Sequence, residues 1–297
     1  MKYFVILFSL SFVLFSCQGQ PSSSSSESTI ILLENFESNF VDPRNVEIFL
    51  PKGYDPTAKK QYKVLYMHDG QNVFNPETSY TKIDWGVDEA IDSLMALKKI
   101  EPTIVVASWN NGQKRFPEYM PKAPAFITAS DEAKTSLKQN FGVDSLLSDD
   151  YLKFLVKELK PYIERNYNVS KKVEDNSIMG SSMGGLISLY AICEYPNEFG
   201  AAGCVSTHWP VPMIGGAYMN TLPESLPSPN NHRIYFDYGT KTLDSLYEPH
   251  QKKVDLLMRD AGYIEGENWV TKKFEGADHS EKSWRARVHI PLLFLLN

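Results

Sequence analysis

Cysteine is scarce in this chain: three residues among 297, too few for a disulfide scaffold or a Cys-rich zinc site. A cationic surplus is also missing. Thirty Lys and Arg stand against thirty-six Asp and Glu, a formal net charge of −6. No general excess of positive charge is available to neutralise phosphates, so nucleic acid is not an expected partner. Internal repeats are absent too, and past the N-terminal region there is no further low-complexity break, which leaves one folded unit as the expectation. What is present is 42% hydrophobic and 22% charged residues, the balance of a globular protein, and this excludes a fully disordered chain.

The N-terminus reads as an address. Residues 1–16, MKYFVILFSLSFVLFS, place one early cation, Lys2, before an apolar run of about a dozen residues. At roughly 1.5 Å per residue the run falls short of roughly 30 Å of hydrocarbon, and the pattern is that of a secretory signal peptide. It ends in Leu14-Phe15-Ser16-Cys17, which resembles a bacterial lipobox. On that reading Cys17 is lipidated and anchors the protein to a membrane of the cell envelope. The alternative is an ordinary signal peptide with a stray cysteine. Residues 17–28, with five consecutive serines from Ser22 to Ser26, form a polar tether, and residues 29–297 form a single domain.

Short β-branched or aromatic runs mark strands at Thr29–Leu33, Val46–Leu50, Tyr62–His68, Thr103–Ser108, Ser177–Met179, Ala202–Ser206, Arg233–Tyr238 and Trp269–Phe274. The continuously apolar Val64-Leu65-Tyr66-Met67 suits a strand covered on both faces. Helical stripes lie between the strands, at Val87, Ile91, Leu94 and Met95; at Leu152, Leu155, Val156, Leu159 and Ile163; and at Leu186, Leu189, Tyr190 and Cys193. Pro161 sits inside the second stripe and is expected to bend or end it. This alternation predicts an α/β fold, a mostly parallel sheet flanked by helices. Working residues in such folds lie at the carboxyl ends of strands.

At one such end stands Gly180-Ser181-Ser182-Met183-Gly184, followed by Gly185. A serine nucleophile needs a tight strand-to-helix turn that lifts its hydroxyl clear, with small residues two before and two after. Ser182 would also sit near the positive end of a helix dipole. Its general base should be a histidine oriented by a carboxylate. The downstream histidines are His208, His232, His250, His279 and His289. Of these, His279 follows the last strand and the turn Glu275-Gly276-Ala277-Asp278, and is the expected base. The carboxylate should follow the strand at 233–238. Asp244 is the first choice and Glu248 its competitor, Asp237 reads as structural, and Asp278 as a residue that turns the chain.

Acyl transfer also requires donors for a developing oxyanion. The Met183 N–H is one, and the N–H of Gly70 or Gln71 the other, with Gly70 letting backbone approach substrate. Trp209 and His208 follow a strand and are candidates to line the pocket, Trp209 by stacking on a sugar or aromatic ring or, equally, by packing. Residues 121–148 are a candidate lid. Arg115 is expected to pair with Glu118. His68, Asp69, Asp84 and Asp88 lack metal-ligand spacing, so no metal and no cofactor is expected.

Together the segments Val64–Asn72, Arg115–Tyr119, Gly180–Gly185, Tyr235–Asp244 and Gly276–His279 resemble the "Putative esterase" family of α/β-hydrolases, which includes esterase D, enterochelin esterases and carbohydrate esterases of the feruloyl and acetylxylan type. The resemblance implies an α/β-hydrolase fold and serine-ester hydrolysis with Ser182 as nucleophile, His279 as base and an acidic partner near Asp244. The expected substrate is a small-molecule or glycan ester. An acyltransferase on the same triad and a non-catalytic glycan-binding lipoprotein are the rivals. Cys193 and Cys204 are expected to be unpaired thiols.

Overall fold

The computed structural model describes residues 27–122, 131–210 and 215–297; the signal segment, Cys17 and most of the tether lie outside them. Eight strands form one sheet: β1 (Thr29–Phe36), β2 (Arg44–Leu50), β3 (Lys63–Met67), β4 (Thr103–Ser108), β5 (Asn176–Ser181), β6 (Ala201–Val205), β7 (Arg233–Gly239) and β8 (Trp269–Phe274). Their spatial order is β1-β2-β4-β3-β5-β6-β7-β8. The pairs β1/β2 and β2/β4 are antiparallel, and all others are parallel. Every expected strand is found. β5 runs on to Ser181 because its end is carried straight into the turn that holds Ser182.

Helices connect the parallel strands. They are α1 (Val87–Ala96), α2 (Arg115–Tyr119), α3 (Asp131–Phe141), α4 (Ser148–Lys153), α5 (Lys160–Asn166), α6 (Met183–Glu194), α7 (Gly215–Met219), α8 (Leu222–Ser225), α9 (Glu248–Asp260), α10 (Glu281–Arg285) and α11 (His289–Leu296). Alternation along the strands divides the core in two. Val64 and Tyr66 of β3 pack with α6 and α9 on one face, while Leu65 and Met67 pack with α1 and α11 on the other. Both faces are covered, which is why Val64-Leu65-Tyr66-Met67 of β3 and Ile104-Val105-Val106-Ala107 of β4 read as unbroken apolar runs. The α6 stripe is wider than its sequence pattern implies, since ten of its residues from Met183 to Ile192 are buried.

Pro161 does not end its helix. A π-helical segment, Phe154–Leu159, joins α4 to α5, and Pro161 falls in the first turn of α5. Widening the turn ahead of the ring accommodates the missing N–H without breaking the stripe. Part of the expected lid is also helical: α3 packs through Leu137, and Phe141 stacks on Phe116 of α2 with ring centroids 4.8 Å apart. Residues 123–130 lie outside the described residues.

Candidate active site

Ser182 occupies the turn between β5 and α6 with φ 58° and ψ −119°, a conformation L-residues rarely adopt and one that costs on the order of 1–3 kcal/mol. The strain is held from both sides. The Ser182 N–H donates to the Val205 carbonyl at 2.9 Å, and the Ser182 carbonyl accepts from Gly185 and His208 N–H groups at 3.1 and 3.2 Å. Of the glycines around it, Gly180 and Gly185 have a steric reason: a Cβ would meet Gly184 backbone at 2.9 Å in the first case and Thr207 Oγ1 at 2.8 Å in the second. Gly184 has none, since a Cβ there meets nothing nearer than 3.5 Å. The expectation that both flanking glycines of the motif are forced is corrected at that position.

His279 follows β8 and projects into the same region. Its Nδ1 lies 2.5 Å from Asp244 Oδ1. Asp244 is 1% exposed and also accepts from the Ser206 hydroxyl and the Gly239 N–H, both at 2.6 Å. Burial alone pushes the Asp244 carboxyl up, but the hydrogen bonds from His279, Ser206 and Gly239 outweigh it and hold the group below its ordinary value. The competitor Glu248 is on the surface, paired with Lys252 and Lys273. Asp237 is structural: it pairs with Arg287 at 2.9 Å and accepts from the Ser206 N–H. Asp278 accepts from the Ser280 and Ser283 hydroxyls and shapes the turn before α10. His232 is tied to the Ser228 and Pro196 carbonyls.

Two residues near this centre are not singled out by any motif in the sequence. The imidazole of His279 stands between the rings of Tyr247 and Trp284, edge-on at centroid distances of 5.7 and 5.0 Å. The Tyr247 hydroxyl also meets the Ser182 side chain and His208 Nδ1, the latter at 2.7 Å. Their only advance signal is proximity in sequence, Tyr247 to Asp244 and Trp284 to His279.

Ser182 and His279 line one cavity of about 600 Å³ with Gln71, Asn72, Tyr80, Thr81, Asn110, Arg115, Glu281 and Trp284 among its walls. A larger groove of about 970 Å³ lies at the opposite ends of the strands, around Lys63, Gly200 and Arg233, and contains neither residue. Gln71 lines the active cavity, and its side chain accepts from the Asn110 N–H at 3.2 Å. Among the described residues, no acceptor is found for the N–H of Gln71 or of Met183, so both are available donors at the start of their helical turns. Gly70 is glycine for another reason than substrate approach. A Cβ there would lie 2.6 Å from the Ala107 carbonyl oxygen of β4, and Gly70 is not part of the cavity wall.

Of the two roles left open for Trp209 the structure selects packing, and the expectations for His208 and Arg115 are corrected. Trp209 is 1% exposed, donates its indole N–H to Gln251 Oε1 at 2.9 Å and packs near Phe236; it is a packing tryptophan with no face free for a ligand. His208 is not among the residues that line the active cavity; its N–H donates to the Ser182 carbonyl and its Nδ1 meets the Tyr247 hydroxyl, and burial and the charges of His279 and Arg115 push its imidazole down to about 4. Arg115 does not pair with Glu118. It binds Asp69 through Nε and Nη2, both at 2.7 Å, while Glu118 faces the core and pairs with Arg44 of β2. A five-residue helix with one side on the cleft and one on the core gives each buried charge its own partner. Cys193 and Cys204 are free thiols. Among the described residues, no group of three or more His, Cys, Asp or Glu is arranged to hold a metal.

A family model described as "Putative esterase" matches residues 38–290. The uncharacterized protein YbbA of Bacillus subtilis is 23% identical over 249 residues, 80% of this chain and 87% of that protein. Ferri-bacillibactin esterase BesA of the same organism is 26% identical over 173 residues, 58% of this chain and 57% of the relative. Among solved structures, a ferulic acid esterase superposes with a TM-score of 0.65 at 18% identity, covering 91% of this chain and 98% of that one. That likeness is one of fold, the α/β-hydrolase arrangement described above.

Proposed function

The chain belongs to the "Putative esterase" family and is a serine ester hydrolase, and from that premise we propose that Ser182, His279 and Asp244 are its nucleophile, base and acid. The observation that carries this is the 2.5 Å contact of His279 Nδ1 with Asp244, beside a cavity that Ser182 and His279 share. With Nδ1–H donated to the carboxylate, Nε2 is left as the proton acceptor. Ser182 Oγ attacks the ester carbonyl as His279 takes its proton. The N–H groups of Met183 and Gln71 receive the developing oxyanion. His279 then returns the proton to the departing alcohol, and a water molecule, deprotonated by His279, releases the acid from the acyl-enzyme.

The amide and hydroxyl groups of Gln71, Asn72, Thr81 and Asn110 on the cavity wall support carbohydrate-linked or small acyl esters over long apolar ones. Ser182→Ala should abolish hydrolysis of a chromogenic acetyl ester while thermal unfolding stays two-state; retained turnover would overturn the assignment. For location the proposal rests on sequence: a signal at residues 1–16, lipidated Cys17, a tether to residue 28 and display in the bacterial cell envelope. Palmitate labelling in cells that is lost in Cys17→Ser tests it, and an unlabelled wild-type protein would contradict it.

A further inference from the structure

Glu281 is 7% exposed, yet it lines the active cavity. Thr81 donates its hydroxyl to Glu281 Oε2 at 2.9 Å, and among the described residues Oε1 has no hydrogen-bond partner. Arg115, whose charge interacts with that of Glu281, lines the same cavity, and the carboxylate oxygen left without a partner can accept a hydroxyl proton from a ligand bound there. Directly before Thr81 stands Tyr80, which is 89% exposed and lines the same cavity. Its position is not loose. The Tyr80 N–H donates to Asn72 Oδ1 at 3.0 Å, and Thr81 is tied to Glu281. An exposed tyrosine and a carboxylate with a free oxygen, lining one polar cavity, are the pair of groups that a sugar ring uses. The ring's C–H face stacks, and its hydroxyls donate.

The reaction geometry says which half of the ester lies there. The carbonyl oxygen must face the Gln71 and Met183 N–H groups, while the leaving oxygen must face the base that reprotonates it. Glu281 is two residues beyond His279, opens α10 and lines the cavity together with it, and His279 is the group that must face the leaving oxygen. We propose that Tyr80 and Glu281 form a subsite for the sugar alcohol of the ester. The inference rests on the hydrolase reading of Ser182 and His279, and it assigns to Tyr80 the stacking role that buried Trp209 cannot perform.

The test uses a fluorophosphonate, which reports on the nucleophile whatever acyl group the enzyme prefers. The rate of Ser182 labelling is measured with and without methyl xyloside or methyl glucoside, with ethanol at equal concentration as control. At about ten times a millimolar Kd, a bound glycoside should slow labelling of the wild type about tenfold. The slowing, taken as a ratio within each protein, should fall to near one in Tyr80→Ala and in Glu281→Gln, and persist in Tyr80→Phe. Labelling that neither glycoside slows, or slowing that survives in both Tyr80→Ala and Glu281→Gln, overturns the subsite alone. A wild type that the probe does not label at Ser182 overturns the hydrolase reading instead.

Discussion

The Ser206 hydroxyl donates to Asp244 Oδ2 at 2.6 Å while accepting from Trp284 Nε1 at 3.0 Å and Arg287 Nη2 at 2.9 Å. One side chain at the end of β6 thus joins the carboxylate beside His279 to a tryptophan that flanks its imidazole and to the Arg287–Asp237 ion pair. Every hydrogen-bonding position of the hydroxyl is used, so Asp244 has little freedom to turn.

Ser206→Ala removes one of the three donors on Asp244 and leaves two buried N–H groups facing a methyl. Such a loss is worth about 1–2 kcal/mol, so kcat on an acetyl ester should fall about tenfold with KM little changed. The pH–kcat profile should shift as well, because the carboxylate that orients the base is less well held. Ser206→Gly, which suits the positive φ of 41° at this position and also lacks the hydroxyl, should lose the rate to a similar extent. Near-full activity in the glycine variant would mean that the alanine acts through backbone strain rather than lost orientation.

Asp244→Asn should lower kcat by about 10⁴, the scale seen when a triad acid is neutralised. Glu248→Gln should leave it within about twofold, because an exposed ion pair contributes little. Steady-state kinetics on the two variants decides between them, and a large loss in Glu248→Gln alone would reverse the assignment.

Glycine substitutions should sort by the space they meet. A Cβ on Gly239 would lie 2.3 Å from the Ala277 carbonyl oxygen, which accepts the Thr240 and Lys241 N–H groups at 3.0 Å. Gly239→Ala should cost about 3 kcal/mol in urea unfolding and disturb the loop that precedes His279. Gly184→Ala meets only ordinary contacts and gains helix propensity, so its unfolding midpoint should be unchanged or higher. A midpoint drop in Gly184→Ala comparable to that in Gly239→Ala would contradict the steric account.

His68 ties the fold to pH. Burial, and to a smaller extent Arg115, pushes its imidazole down to about 3 against the pull of Asp69, with Nδ1 held by the Tyr151 hydroxyl at 2.8 Å. The folded protein then binds fewer protons than the unfolded chain between pH 6.5 and 3. Stability therefore rises with pH across that window and is lost as the medium is acidified, by up to about 1.4 kcal/mol per pH unit. His208, pushed down to about 4, acts in the same direction. Urea unfolding at pH 7, 5.5 and 4.5 should show the slope, and His68→Gln should remove about one proton from it. Parallel slopes in the two proteins would contradict the assignment.

Much of this arrangement was legible before any coordinates. Alternating apolar runs and three helical stripes marked eight strands, the helical segments at 87–96, 148–166 and 183–194 and the sheet's mostly parallel character, because burial on two faces leaves a periodic trace in the chain itself. The tight turn at Gly180–Gly185 marked Ser182, and position after a strand marked His279 and Asp244, because in a parallel sheet the strands' carboxyl ends lie together. What the sequence left open was set by packing between distant segments. Only the fold put Glu248 on the surface and Asp244 beneath His279, buried Trp209 while holding Tyr80 out, and gave Arg115 to Asp69 instead of Glu118. Spacing along the chain carries no record of which side of a short loop or helix faces the cavity. That orientation is decided by which neighbour supplies the missing hydrogen bond or fills the remaining space.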